Sequence, residues 1–81
     1  MKNFKVLGSG CRNCEITAKL IAQAAAEANV EIELDKVTDI ADIMAFGVMS
    51  TPGVVVDGKV VHSGGLPAPD LVRSWLDDSD Q

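Results

Sequence analysis

Apolar and polar positions along this chain follow two different periods. Val30, Ile32 and Leu34 fall on one side of an extended chain, and Glu31, Glu33 and Asp35 on the other. That is the alternation of a strand with one covered face, here expected from Val30 to Val37. Upstream, Cys14, Thr17, Ala18, Ile21, Ala24, Ala25 and Ala28 recur at three and four, which is one stripe of a helix. The helix is expected from Arg12 to Asn29. Its six alanines favour that state and are small enough to let it pack close to a sheet. Asn29 suits the left-handed position that ends a helix. Ahead of the helix, Phe4-Lys5-Val6-Leu7 reads as a short strand, and Gly8-Ser9-Gly10 as a flexible turn that lets backbone approach closely.

The second half is built from shorter pieces. Thr38-Asp39 signals a helix start, with Asp42 adding negative charge in the first turn. Ile40, Ile43 and Met44 give that short helix one apolar face, and Gly47 stops it. Val54-Val55-Val56 and Val60-Val61-His62 flank Asp57-Gly58, a two-residue hairpin signal, so these strands are antiparallel. Ser63-Gly64-Gly65 is a loop. Leu66-Pro67-Ala68-Pro69-Asp70 opens a last helix, where proline's missing N–H is no loss. Its apolar face is Leu71, Val72, Trp75 and Leu76, and Asp77 to Gln81 form a polar tail that frays. The order is β-α-β-α-β-β-α. The chain from residue 1 to 81 is a single α/β domain, whose first strand–helix–strand unit pairs its strands in parallel.

Composition narrows the function. With 81 residues there is room for one core, and with only Phe4, Phe46 and Trp75 as aromatics that core is mostly aliphatic. The net charge of −5, with scattered Lys and Arg, argues against nucleic acid and against an anionic membrane surface. The run from Phe4 to Leu7 is too short for a signal-peptide core. The uncharged stretch from Ile43 to Val56 carries Gly47, Pro52 and Gly53 and does not read as a spanning helix. The expected location is the cytoplasm.

In a reducing compartment the two cysteines, Cys11 and Cys14, point to redox or metal chemistry more than to a staple. They sit where a strand gives way to a helix. There, unpaired N–H groups and the helix dipole favour the thiolate, the reactive form. A structural disulfide, half of a zinc site and a redox pair all remain open on spacing alone. Zinc wants four ligands, and the further soft candidates are His62 and the methionines, so a metal or iron–sulfur cluster would have to be shared across a dimer. Met44 and Met49 read as core fillers, Trp75 as core, and His62 as a surface or edge residue.

The order of elements, with Cys11-Arg12-Asn13-Cys14 after the first strand and Thr51-Pro52 before the third, resembles the thioredoxin fold. The similarity covers the whole chain and is closest to the small thioredoxin-like and glutaredoxin-like redox-active disulfide proteins. It implies a minimal thioredoxin fold: a four-stranded mixed sheet flanked by helices. By resemblance Cys11 is the exposed nucleophile and Cys14 the more buried resolving cysteine. Pro52 matches the family's cis-proline, and the backbone of Thr51 would pair with a bound substrate. Gly64-Gly65 falls where the family carries a glycine before the last helix. The chain departs from the family's Trp-Cys-Gly-Pro-Cys: Gly10 precedes Cys11, and Arg12-Asn13 lie between the cysteines. Arg12 reads either as a cation that favours the Cys11 thiolate and meets substrate or as a solvated surface charge.

The implied activity is thiol–disulfide exchange on protein or small-molecule disulfides. It needs no cofactor beyond the Cys11–Cys14 pair and no metal, and the protein would act as a monomer recharged by a separate reductase. The competing reading is a binding module without turnover, or the shared-metal carrier.

Overall fold

The computed structural model of the protein describes residues 2–8 and 12–76. Seven elements follow in the order β1 (Lys2–Leu7), α1 (Arg12–Ala28), β2 (Ile32–Val37), α2 (Ile40–Ala45), β3 (Gly53–Val56), β4 (Lys59–Ser63) and α3 (Pro69–Leu76). The expected turn at Ser9-Gly10, the nucleophile Cys11 and the fraying tail Asp77–Gln81 lie outside the described residues.

The strands form one sheet in the order β2-β1-β3-β4. β1 pairs in parallel with β2, Phe4 opposite Leu34 and Val6 opposite Lys36. It pairs antiparallel with β3, Phe4 opposite Val56 and Val6 opposite Val54. A parallel pair needs a crossover, which α1 supplies, and an antiparallel pair needs only a turn. The β3–β4 turn is Asp57-Gly58, both with positive φ (51° and 84°), the conformation a tight hairpin demands. Asp57 also ties this turn to the start of β1: its N–H donates to the Asn3 carbonyl at 2.8 Å, and its Oδ1 accepts from the Asn3 N–H at 2.9 Å.

Alternation along the strands divides the core into two layers. Phe4, Val6 and Val54 point to one face and pack with Ala18, Ile21 and Ala25 of α1 and Val72, Trp75 and Leu76 of α3. Leu7 and Val55 point to the other face and meet Ile43 of α2, with Val48 beside them. Phe4, Leu7, Ile21, Val54 and Val55 are fully buried. This is the small mixed-sheet α/β architecture expected from the sequence, with helices on both faces.

Boundaries shift by a residue or two from the expected ones. β1 starts at Lys2 rather than Phe4, because the pairing with β2 runs from Lys2 opposite Ile32 to Leu7 opposite Val37. The helix ends at Ala28 with Asn29 at φ 59°, the left-handed cap residue. α3 begins at Pro69, and Pro67 is buried ahead of it.

One expectation is corrected. Met44 and Met49 do not fill the core; they are 69% and 97% exposed. α2 has only six residues, about a turn and a half, so a single stripe position, Ile43, reaches the sheet. Ile40 and Met44 then face out.

Candidate functional site

The site is built at the end of β1. Gly8, just past that strand, donates its N–H to the Val37 carbonyl at 2.9 Å, which holds the ends of β1 and β2 together. A Cβ on Gly8 would overlap Cys14 Sγ, and would lie 3.1 Å from Cys14 Cβ and 3.6 Å from Thr51 Cβ. Gly8 is therefore glycine because a sulfur occupies the space of its side chain.

Cys14 is on the first turn of α1, on the stripe continued by Ala18 and Ile21 toward the sheet. It is 5% exposed and disulfide-bonded. One turn on, the buried Thr17 hydroxyl donates to the Asn13 carbonyl at 2.7 Å, which satisfies a polar group the core could not otherwise hold.

Thr51 and Pro52 arrive from the other side. The peptide bond between them is cis. Pro52 is fully buried, while Thr51 is exposed and lies beside Gly8. The Pro52 carbonyl accepts the Gly64 N–H at 2.9 Å. Gly64 has φ 81°, and a Cβ there would lie 3.2 Å from Ser50 Cβ, so the loop after β4 packs directly on the proline loop. His62 supports that loop in turn, donating Nε2–H to the Gly65 carbonyl at 2.9 Å with its ring 6.1 Å from that of Trp75.

On the β2 side of Cys14 a cleft of about 240 Å³ opens, lined by Val6, Gly8, Cys14, Glu15, Lys36 and Thr38. Lys36 Nζ and Glu15 Oε1 stand 3.9 Å apart across it. Neither residue was singled out from the sequence. The signal was there for Lys36: it falls on the same side of β2 as the half-buried Ile32 and Leu34, so an exposed charge ends an otherwise apolar row. Arg12 is the first residue of α1 and exposed, and it borders a shallow depression with Glu15, Ile16 and Lys19 rather than the Cys14 cleft. Of the expected site residues, then, Cys14, Thr51 and Pro52 converge, Arg12 lies on the outer side of the helix, and Cys11 lies outside the described residues. Among the described residues, no three His, Cys, Asp or Glu side chains gather as a metal site would need.

A model of the thioredoxin domain matches residues 2–77 of this chain, nearly its whole length. The chain belongs to the thioredoxin-domain family. Two members have comparable dimensions. A thioredoxin from Methanothermobacter thermautotrophicus is 26% identical over 76 residues, which span 94% of this chain and 99% of that protein. One from Methanocaldococcus jannaschii is 32% identical over 73 residues, 90% of this chain and 84% of its own. As a thioredoxin-domain protein, this chain carries the fold in its minimal form, with no helix among the described residues long and apolar enough to cross a membrane.

Proposed function

We propose that this protein is a thiol–disulfide oxidoreductase in which Cys11 and Cys14 cycle between dithiol and disulfide. The observation that carries this reading is Cys14 itself. It is buried at the start of α1, disulfide-bonded, and pressed against the side-chain-free Gly8, which has Thr51 on its other side. Cys11 is the only other cysteine in the chain.

In the proposed cycle the Cys11 thiolate attacks one sulfur of a substrate disulfide. The new bond joins Cys11 to that sulfur, and the other substrate sulfur leaves as a thiolate that takes up a proton. Cys14 then loses its proton and attacks Cys11 Sγ. This forms the Cys11–Cys14 bond and expels the second substrate sulfur as a thiol after protonation. The protein is oxidised by two electrons and the substrate reduced by two. A separate reductase restores the dithiol. Burial of Cys14 supports its resolving role, because a sulfur screened from solvent by α1 reacts with what Cys11 brings to it. Thr51, exposed beside Gly8, offers backbone to an extended substrate, and Arg12, the residue after Cys11 in sequence, offers an exposed cation on the outer side of α1. A reducing compartment suits this cycle, and we place the protein in the cytoplasm as a monomer.

The test is Cys14→Ser. With the resolving sulfur gone, reduced protein should accumulate a stable Cys11 mixed disulfide with an insulin chain or glutathione, seen as an adduct mass. The wild type should turn over and leave no adduct. Wild-type protein that neither reduces insulin nor forms a reversible intramolecular disulfide, or that purifies with stoichiometric metal bound by Cys14, would overturn the proposal.

A further inference from the structure

The cleft beside Cys14 contains two opposite charges that the exchange cycle does not by itself require. β2 runs Ile32-Glu33-Leu34-Asp35-Lys36-Val37, and the row of Ile32 and Leu34 ends on the exposed Lys36, opposite Val6 of β1. α1 places Glu15 directly after Cys14. The two side chains reach toward each other, 3.9 Å apart, at the mouth of the cleft that Cys14 lines. The other groups facing Cys14 carry no charge: Val6 and Gly8 from the end of β1, Thr38 beyond β2, and Thr51 from the proline loop. In the core layer beneath it, Phe4, Ala18, Val54, Val72 and Trp75 are uncharged as well. Arg12, on the same helix, lines the outer depression instead. Among the described residues, Glu15 and Lys36 are thus the ionisable side chains that share the cleft with this sulfur.

We propose that Glu15 and Lys36 are opposed positioning charges on Cys14, Lys36 favouring its thiolate and Glu15 disfavouring it, so that the pair sets how fast the mixed disulfide is resolved. The inference rests on the exchange cycle proposed above, in its second step. There the Cys14 thiol gives up a proton, its thiolate bonds to Cys11 Sγ, and the substrate sulfur departs with the electron pair of the broken bond. A cation near the sulfur lowers the free energy of the thiolate, and an anion raises it. Joined as an ion pair the two nearly cancel. Each alone would not, and this makes opposite effects the signature of the device. A purely structural ion pair would make both single substitutions act in the same direction.

Reduced protein mixed with an excess of an aromatic disulfide whose thiol product is coloured should release colour in two phases. The first is attack by Cys11, and the second is release by Cys14. Lys36→Met should slow the second phase about twofold below its pH midpoint and move that midpoint up by roughly half a unit. Glu15→Gln should do the reverse. These sizes follow from the weak pull of a mostly exposed charge and from the partial loss of nucleophilicity that accompanies a more acidic thiol. The double variant should return close to the wild type, and Lys36→Arg should retain its rate and midpoint. Both positions are more than half exposed, and unchanged thermal melting would show the variants folded. Wild type with two phases, but with both single variants shifted the same way or neither shifted, would overturn the charge proposal and leave the exchange reading standing. Wild type with no second phase would overturn both.

Discussion

Gly8 shows how a single missing side chain can define a site. From the sequence it reads as part of a flexible turn, and the expectation of close backbone approach was right in kind. What could not be read was the object approached, because Cys14 Sγ comes from the next element and its position depends on how α1 lands on the sheet. Gly8→Ala should therefore destabilise the oxidised protein by about 1–3 kcal/mol, the usual result of overfilling a packed region. At roughly 4–8 °C per kcal/mol for a domain of this size, a thermal melt would show a fall of about 5–20 °C. A variant melting within a degree of wild type would mean that the sulfur moves aside freely. The same limit explains Lys36 and Glu15. Alternation alone put Lys36 on the row of Ile32 and Leu34, but only the parallel register of β2 with β1 brings it level with Cys14. Thr51 and Pro52 were singled out because a Thr-Pro pair before the third strand resembles a known fold, an argument from resemblance and not from local chemistry.

Among the elements, α1 and the β3–β4 hairpin were the most legible and α2 the least. α1 has seventeen residues over which a stripe can repeat, and the hairpin has Asp57-Gly58, whose positive φ values leave few alternatives. α2 has six, so three apolar residues could not all be told apart as inward or outward. Its start was clear, since Asp39 caps it by accepting the Ala41 N–H at 2.8 Å. Asp39→Ala should cost about 1 kcal/mol. The stripe itself can be checked by contrast. Ile43→Ala, which empties a buried position against Leu7, Val48 and Val55, should cost about 2–5 kcal/mol in urea unfolding. Met44→Gln, at a position 69% exposed, should stay within about 0.5 kcal/mol of wild type. Equal losses from the two would restore the methionine to the core.

At the scale of the molecule the fold class was legible almost completely, because seven elements in that order leave few ways to bury two layers on one sheet. The central place of β1 has a consequence in time as well as in space. Its two partners come from very different distances along the chain: β2 follows after one helix, but Phe4 meets Val56 only when positions 52 residues apart come together. Closing so long a loop is the slow, entropically opposed event of assembly. Until it happens Cys14 and Gly8 have no Thr51 beside them, since the proline loop arrives with β3. Val54→Ala, in the β1–β3 contact, should therefore slow refolding, and Ala25→Gly, inside an α1 that forms locally before that contact, should slow it as well. Stopped-flow refolding and unfolding of the two variants would check this, and a Val54→Ala effect confined to the unfolding rate would mean that β3 joins only after the barrier. If the order is as expected, a newly made chain has α1 and its Cys14 in place before the Thr51–Pro52 loop packs beside them. That corner of the fold is then completed last, at the moment β3 meets β1.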